Sequence, residues 1–145
     1  MTMRNPPEGY QKVTPYIIVK GLDEELGFLD TVFGTEVQEK IVDKSGAAKH
    51  AQLMIGDSML MLGESPGDDY PPQPASLYIY VDDCDAVHNK ALANGATEIM
   101  PPDDMYYGDR HGGIVDPAGI IWWIATHFED VSHEELQRRS VAHSQ

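Results

Sequence analysis

The chain has 145 residues, 41% of them apolar, and its 24 acidic and 10 basic residues give a net charge of −14. This length and composition suit a folded domain with an adequate core and exclude a disordered chain. The acidic balance argues against nucleic acid and anionic membrane surfaces as partners, because both require a basic protein surface. No apolar run approaches the length that crosses a bilayer.

The first half of the chain predicts a strand, a helix and three more strands. Residues 1–9 contain no apolar signal core, so we expect a loose tail and a cytoplasmic protein, and the single cysteine, Cys84, agrees with a reducing compartment. The β-rich run 13–19 predicts the first strand. A helix follows and ends at Gly34, because apolar residues recur at helical spacing after an acidic start. Further strands are predicted at 37–42, 51–55 and 59–62.

A proline-rich segment then separates two halves of similar pattern. The segment from Pro66 to Pro74 contains four prolines, which predicts a linker. The second half repeats the order of the first, since Asp83 can cap a helix that Gly95 ends. Its strands are predicted at 76–81, 97–100, 113–115 and 120–125. A capping box at Ser132 predicts a last helix. We expect one domain, with module one at about 12–64, a linker at about 65–75, module two at about 76–128 and a C-terminal helix at about 132–142.

Several short motifs add to this order of elements. They are Val13–Tyr16, His50–Leu53, Ile55–Ser58, Tyr107–Arg110, Asp116–Gly119 with Trp122, and Ala125–His127. With their spacing, they resemble the PhnB-like branch of the vicinal oxygen chelate superfamily, the glyoxalase/bleomycin-resistance/dioxygenase group, over about residues 12–135. The resemblance implies an α+β fold in which two βαβββ modules form a cupped mixed sheet, commonly in a homodimer.

Alternation along the strands predicts two different sheet faces. One face is aliphatic and is expected to lie under the helices, with Trp122 on the same side. The other face is aromatic, rich in methionine and sparsely polar, and in the fold that the resemblance implies it lines the cup. Such a surface suits a flat or largely apolar small molecule, although a dimer contact or a filled core has the same composition. The predicted ligand-binding residues are Tyr16, His50, Gln52, Met54, Met61, Ser76, Tyr78, Tyr80 and Trp123.

Metal-dependent members of the resembled superfamily place His or Glu on four inner strand positions. In this chain those positions fall near Thr14, Met61, Ser76 and Trp123. None of these side chains is an acid or an imidazole, so the resemblance and the residues together predict no metal and no cofactor.

Histidines elsewhere leave alternatives open. His50 should face the cup and is the best single candidate for an acid, a base or a ligand, although a hydrogen-bonded structural role explains it more simply. We expect His111 to face solvent and His127 to pack or to form hydrogen bonds. Asp109 and Arg110 are expected to form a local pair, with a clamp for an anionic ligand as the alternative.

These observations predict a metal-independent small-molecule-binding protein of the glyoxalase/bleomycin-resistance type. It would hold a largely apolar or aromatic ligand, either to sequester it or to convert it without a cofactor; no catalytic residue is assigned. One alternative is a metal-dependent lyase, isomerase or dioxygenase with displaced ligands such as His50. Another is a metal-free enzyme that uses His50 or a cup tyrosine as general acid or base. The expected partners are a small molecule and a second copy of the chain.

Overall fold

The computed structural model describes residues 3–73 and 75–144. The chain divides into two compact units, residues 1–75 and 76–145. Each unit contains one four-stranded mixed sheet and follows the order βαβββ, and a third helix ends the second unit. This confirms the predicted α+β class and the two modules. That the two units form a single domain stays a prediction.

The sheet of the first unit has the strand order β1-β4-β3-β2, in which β1 and β4 are parallel and the other pairs are antiparallel. Its elements are β1 (Tyr16–Val19), α1 (Leu22–Phe33), β2 (Glu36–Val42), β3 (Ala48–Ile55) and β4 (Ser58–Glu64). Helix α1 packs on β3 and β4 through buried residues such as Leu22 and Leu29. Glu64, at the end of β4, accepts hydrogen bonds from the backbone N–H groups of Gly21 and Leu22, which fixes the start of this helix.

The second sheet has the equivalent order β5-β8-β7-β6, again with one parallel pair, β5 and β8. Its elements are β5 (Ser76–Tyr80), α2 (Cys84–Ala93), β6 (Thr97–Asp104), β7 (Asp109–Val115), β8 (Ile121–His127) and α3 (His133–His143). The predicted caps are present: Asp83 accepts from the N–H of Ala86, and Ser132 accepts from the N–H of Glu135. Among the described residues, no helix has the length and apolar character that a membrane span requires.

Strand β6 continues past the point where the prolines were expected to end it. It includes Pro101 and Pro102 and extends to Asp104. The strand lies at the edge of the sheet, where only β7 pairs with it, and its register shifts between Met100 and Asp103. Proline is tolerated at such an irregularity because the missing N–H is not needed by a second neighbouring strand.

The two faces of each sheet follow the predicted alternation. Helix-facing residues such as Val19, Leu62 and Ile124 are buried. Alternation also places Met59 and Ala125 on the other face, but both are buried. The backbone N–H and carbonyl of Met59 form hydrogen bonds with the side chain of Gln11. Ala125 lies between larger residues on the two adjacent strands.

Candidate functional site

The sheet face opposite the helices, which we call the open face, carries aromatic residues in both units. In the second unit the strand register pairs Tyr78 with Trp123 and Tyr80 with Ala125. On its other side, Ala125 pairs with His111. The side chains of Tyr78 and Tyr80 are 42% and 62% exposed. Their rings make an edge contact at 5.4 Å between centroids. Exposed rings at adjacent positions form a surface on which a ligand can pack.

A buried carboxylate holds these two tyrosines in place. Asp109 is only 4% exposed, and its Oδ2 accepts hydrogen bonds from the hydroxyls of Tyr78 at 2.6 Å and Tyr80 at 2.9 Å. Its Oδ1 accepts from Nδ1 of His127 at 2.7 Å. The second ring nitrogen of His127 lies 2.6 Å from Oδ1 of Asp130. We call these five residues the Asp109 network.

Local backbone geometry explains how Asp109 reaches this position. Gly108, with φ of 96°, ends a turn in which its N–H donates to the carbonyl of Met105. The chain then enters β7, where Asp109 pairs directly with His127 on β8. The strand pairing therefore brings the carboxylate and the imidazole together, although they are far apart in sequence.

The hydrogen bonds of the network set the protonation of its members. Burial raises the pKa of Asp109, but the donors Tyr78, His127 and Tyr80 outweigh burial, and the net pKa lies below its usual value. Burial and the bond to Asp109 raise the pKa of Tyr78, and the bond to Asp109 raises that of Tyr80. Hydrogen bonds to Asp109 and Asp130 raise the pKa of His127. The tyrosines are therefore neutral, and His127 is favoured as the cation.

These shifts predict how pH changes the stability of the second unit. The lowered pKa of Asp109 gives a stabilisation that is present above about pH 4, its unfolded value, and is lost as pH falls through the folded pKa. The raised pKa of His127 gives a second stabilisation, which is present below about pH 6.5, the unfolded value of histidine, and is lost as pH rises through the folded pKa. NMR titration of the imidazole should show the His127 pKa above the ordinary value in the native chain and lower in Asp109→Asn. An unchanged His127 pKa in that variant would contradict the network.

His111 lies in the same face but not in solvent, contrary to expectation. It is 8% exposed, its Nε2 is 2.6 Å from the hydroxyl of Tyr107, and its ring packs edge-on against Tyr78 and Trp123. Burial lowers the pKa of His111, so its neutral form is favoured. His111 thus contributes a flat, uncharged ring to the open face.

Trp123 is half-buried on the open face, and Trp122 is buried on the helix side, as predicted. The indole N–H of Trp123 donates to Oγ of Ser76 at 2.9 Å. Its ring lies over Gly113, where a Cβ atom would come within 2.5 Å of the ring. The glycine therefore leaves the space that the Trp123 ring occupies.

The first unit gathers the remaining predicted residues. Tyr16 is 58% exposed, and its ring lies over Gly63 and contacts His50 edge-on at 5.8 Å. Gln52 lies 3.3 Å from Nε2 of His50 and accepts a hydrogen bond from the hydroxyl of Tyr10. Met61 is paired with both Tyr16 and Gln52. Met54, with Met59 and Tyr10, lines a depression of about 430 Å³.

The internal repeat also places a histidine at the same register position in each unit. In the first sheet, Gly63 on β4 pairs with Ile18 on one side and His50 on the other. In the second sheet, Ala125 on β8 pairs in the same way with Tyr80 and His111. The structure brings Tyr16, His50, Gln52 and Met61 together in one unit, and Ser76, Tyr78, Tyr80 and Trp123 together in the other. Their role in ligand binding stays a prediction.

The family model for the glyoxalase/bleomycin resistance protein/dioxygenase superfamily matches residues 11–124. The chain belongs to this superfamily. Curated relatives of the chain include Mb0911c of Mycobacterium bovis, 26% identical over 135 residues that cover 86% of this chain and 89% of that protein. Rv0887c of Mycobacterium tuberculosis is also 26% identical, with 86% and 79% covered.

Several solved structures share the fold of this chain. The PhnB protein from Bacillus cereus matches with a TM-score of 0.66 and 22% identity, over 80% of this chain and 99% of that one. TioX from Micromonospora sp. ML1 matches with a TM-score of 0.64 and 20% identity, over 80% and 99%. These likenesses, including the PhnB-like one, agree with the resemblance found in the sequence motifs.

The positions at which metal-dependent superfamily members carry ligands do not fit a metal in this chain. The indole N–H of Trp123 donates a hydrogen bond to the Ser76 hydroxyl. An indole N–H is a donor and cannot coordinate a cation. Thr14 donates to the carbonyl of Gln11, and Met61 offers only a thioether. Within residues 3–73 and 75–144, no group of three or more His, Cys, Asp or Glu side chains is placed to hold a metal ion.

The Asp109 network is not predicted from the sequence, because the strand that became β7 was expected at 113–115 and in fact begins at Asp109. Had the strand been extended back to Asp109, alternation would have placed Asp109 and His111 on the open face. The same alternation sends Arg110 to the opposite side, where it pairs with Asp85 at 3.0 Å and with Asp104 at 3.2 Å. The expected pair between Asp109 and Arg110 is therefore wrong.

Proposed function

We propose that this protein binds a largely apolar or aromatic small molecule on the open faces of its sheets, without a metal, to sequester it or to convert it without a cofactor. The observation that carries the proposal is the set of exposed rings on these faces, Tyr16, Tyr78 and Tyr80, together with the half-buried Trp123. Within the second unit, Tyr78, Tyr80 and Trp123 occupy neighbouring register positions, and an exposed apolar patch of this kind often marks a place where another molecule packs.

The rings are held in fixed positions, which supports binding. Asp109 holds both tyrosines of the second unit, Ser76 holds the Trp123 indole, and Tyr16 lies over a glycine. A surface whose side chains are already ordered loses less conformational entropy when a ligand packs on it. A few hydrogen-bonding groups beside the rings can orient the ligand.

Binding can be tested by calorimetric titration of the full chain with coumarin, a neutral planar aromatic, and with cyclohexanol as a non-aromatic control. We expect coumarin to bind and cyclohexanol not to bind. Tyr80→Ala should weaken coumarin binding about tenfold, because a central aromatic contact is removed. Tyr70→Ala provides a matched control, since Tyr70 is 70% exposed in the loop after β4 and should not matter. Equal losses in both variants would count against the proposal.

Tryptophan emission locates the bound probe. Coumarin should quench the emission of the native chain, and Trp123→Phe should remove most of that quenching, because the remaining Trp122 is buried on the helix side. Trp122→Phe should keep the quenching. A Trp123→Phe variant with full quenching would place the ligand elsewhere.

Metal independence, a homodimer and a cytoplasmic location complete the proposal. The misfit of Ser76 and Trp123 as metal ligands supports the first of these, and elemental analysis of protein purified without chelator tests it. Stoichiometric zinc, nickel, manganese or iron would favour the metal-dependent alternative instead. Sedimentation analysis tests the homodimer.

A further inference from the structure

Hydrogen bonding within the Asp109 network determines what the exposed tyrosines can offer to a ligand. Each phenol has one proton, and both protons point to Oδ2 of Asp109, at 2.6 Å from Tyr78 and 2.9 Å from Tyr80. The two hydroxyls are therefore used as donors. The oxygen of Tyr80 can still accept a hydrogen bond from a ligand, whereas the Tyr78 hydroxyl also lies within hydrogen-bonding reach of the Tyr107 hydroxyl.

The charges around these oxygens are mainly negative. Both nitrogens of His127 face a carboxylate oxygen, Asp109 at 2.7 Å and Asp130 at 2.6 Å, so the imidazole is placed to donate twice as a cation. One positive charge thus lies between two negative ones. The nearby Arg110 is occupied by Asp85 and Asp104. A net negative charge remains beside the two phenols.

An open depression of about 530 Å³ lies next to the network. It is lined by Tyr80, Val81, Asp82, Thr126 and His127. A ligand group in the depression would lie beside Tyr80 and His127, and the lining includes another acidic residue, Asp82. The adjacent Tyr78 and Tyr80 rings also present π-faces, which attract a cation.

We propose that the Asp109 network is a subsite for the amine of the ligand, so that the protein selects aromatic molecules carrying a protonated amino group over those carrying a carboxylate. An ammonium has several N–H donors and no acceptor, which matches a site that offers oxygens, rings and negative charge. A ligand carboxylate would meet the acidic side chains Asp82, Asp109 and Asp130, and both N–H donors of His127 are already used by two of them. This inference rests on the proposed function and adds the chemical class of the ligand.

Three probes of one shape test the selection: 2-naphthylmethylamine, 2-naphthalenemethanol and 2-naphthoate. Calorimetric titration of the full chain near neutral pH and low salt should give binding at least about tenfold tighter for the amine than for the carboxylate, with the alcohol between them. If none of the three binds, the proposed function itself fails. If all three bind equally, aromatic binding stands and the amine subsite is overturned.

Substitutions separate the network from the overall negative charge of the protein. Asp109→Asn should bring the affinity for the amine to that for the alcohol. Asp103→Asn removes the same charge from an exposed residue on the neighbouring strand and should leave the preference for the amine unchanged. Tyr80→Phe keeps the exposed ring, removes one accepting oxygen and should weaken amine binding several-fold without affecting the carboxylate. Equal effects of Asp109→Asn and Asp103→Asn, with no effect of Tyr80→Phe, would overturn the subsite.

Discussion

The Asp116→Ala variant is expected to lose about 3–5 kcal/mol of unfolding free energy. Asp116 is buried in the turn between β7 and β8. Its Oδ1 accepts from the backbone N–H groups of Ala118 at 2.9 Å and Ile120 at 3.0 Å, and its Oδ2 accepts from the indole N–H of Trp122 at 2.8 Å. Alanine removes the acceptor of three N–H groups at once, two of which belong to buried residues.

Urea unfolding followed by tryptophan emission measures this loss, because both tryptophans lie in the second unit. Asp103→Ala is the control, since Asp103 is exposed and its carboxylate accepts from the N–H of the adjacent Asp104. That variant should change stability by less than about 0.5 kcal/mol. Similar midpoints for the two variants would mean that the Asp116 hydrogen bonds do not hold the hairpin.

The Gly108→Ala variant is expected to lose about 3–5 kcal/mol and to displace Asp109. The φ of 96° at Gly108 disfavours any side chain, and a Cβ atom there would overlap the carbonyl oxygen of Glu129. That carbonyl belongs to the backbone and cannot rotate away. The N–H groups of Phe128 and Glu129 donate to the carbonyl of Gly108, so a shift would also break this connection.

Gly119 supplies the matched control for this variant. Its φ of 93° is nearly the same, but a Cβ atom there would meet nothing within 4 Å. Gly119→Ala should therefore lose only the backbone strain, about 1–2 kcal/mol. Urea unfolding gives the free energy of unfolding of each variant, and the difference between the two losses measures the contribution of the clash. Gly108→Ala should also weaken coumarin binding, and Gly119→Ala should not; equal stability of the two variants would refute the clash.

Local patterns in the sequence were enough to predict the order of the elements and the faces of the strands. Asp83 and Ser132 cap helices as expected, and the Asp116–Gly119 motif forms a turn in which the N–H of Gly119 donates to the carbonyl of Asp116. Alternation correctly separated Trp122 from Trp123. These features depend on nearest neighbours along the chain, such as a cap, a turn residue or a period of two, so one sequence contains all the information they need.

The Asp109 network was decided only by the tertiary structure. Asp109 and His127 meet because they pair with each other across β7 and β8. This pairing requires β7 to begin directly after the turn at Gly108. Tyr78 and Tyr80 reach the same carboxylate from β5, which is not adjacent to β7 in the sheet. Nothing local marks such a meeting, because it joins side chains from three strands that are distant in sequence. The aromatic composition of the open face was thus determined by the sequence, whereas its negative, hydrogen-bonded centre required strand pairing.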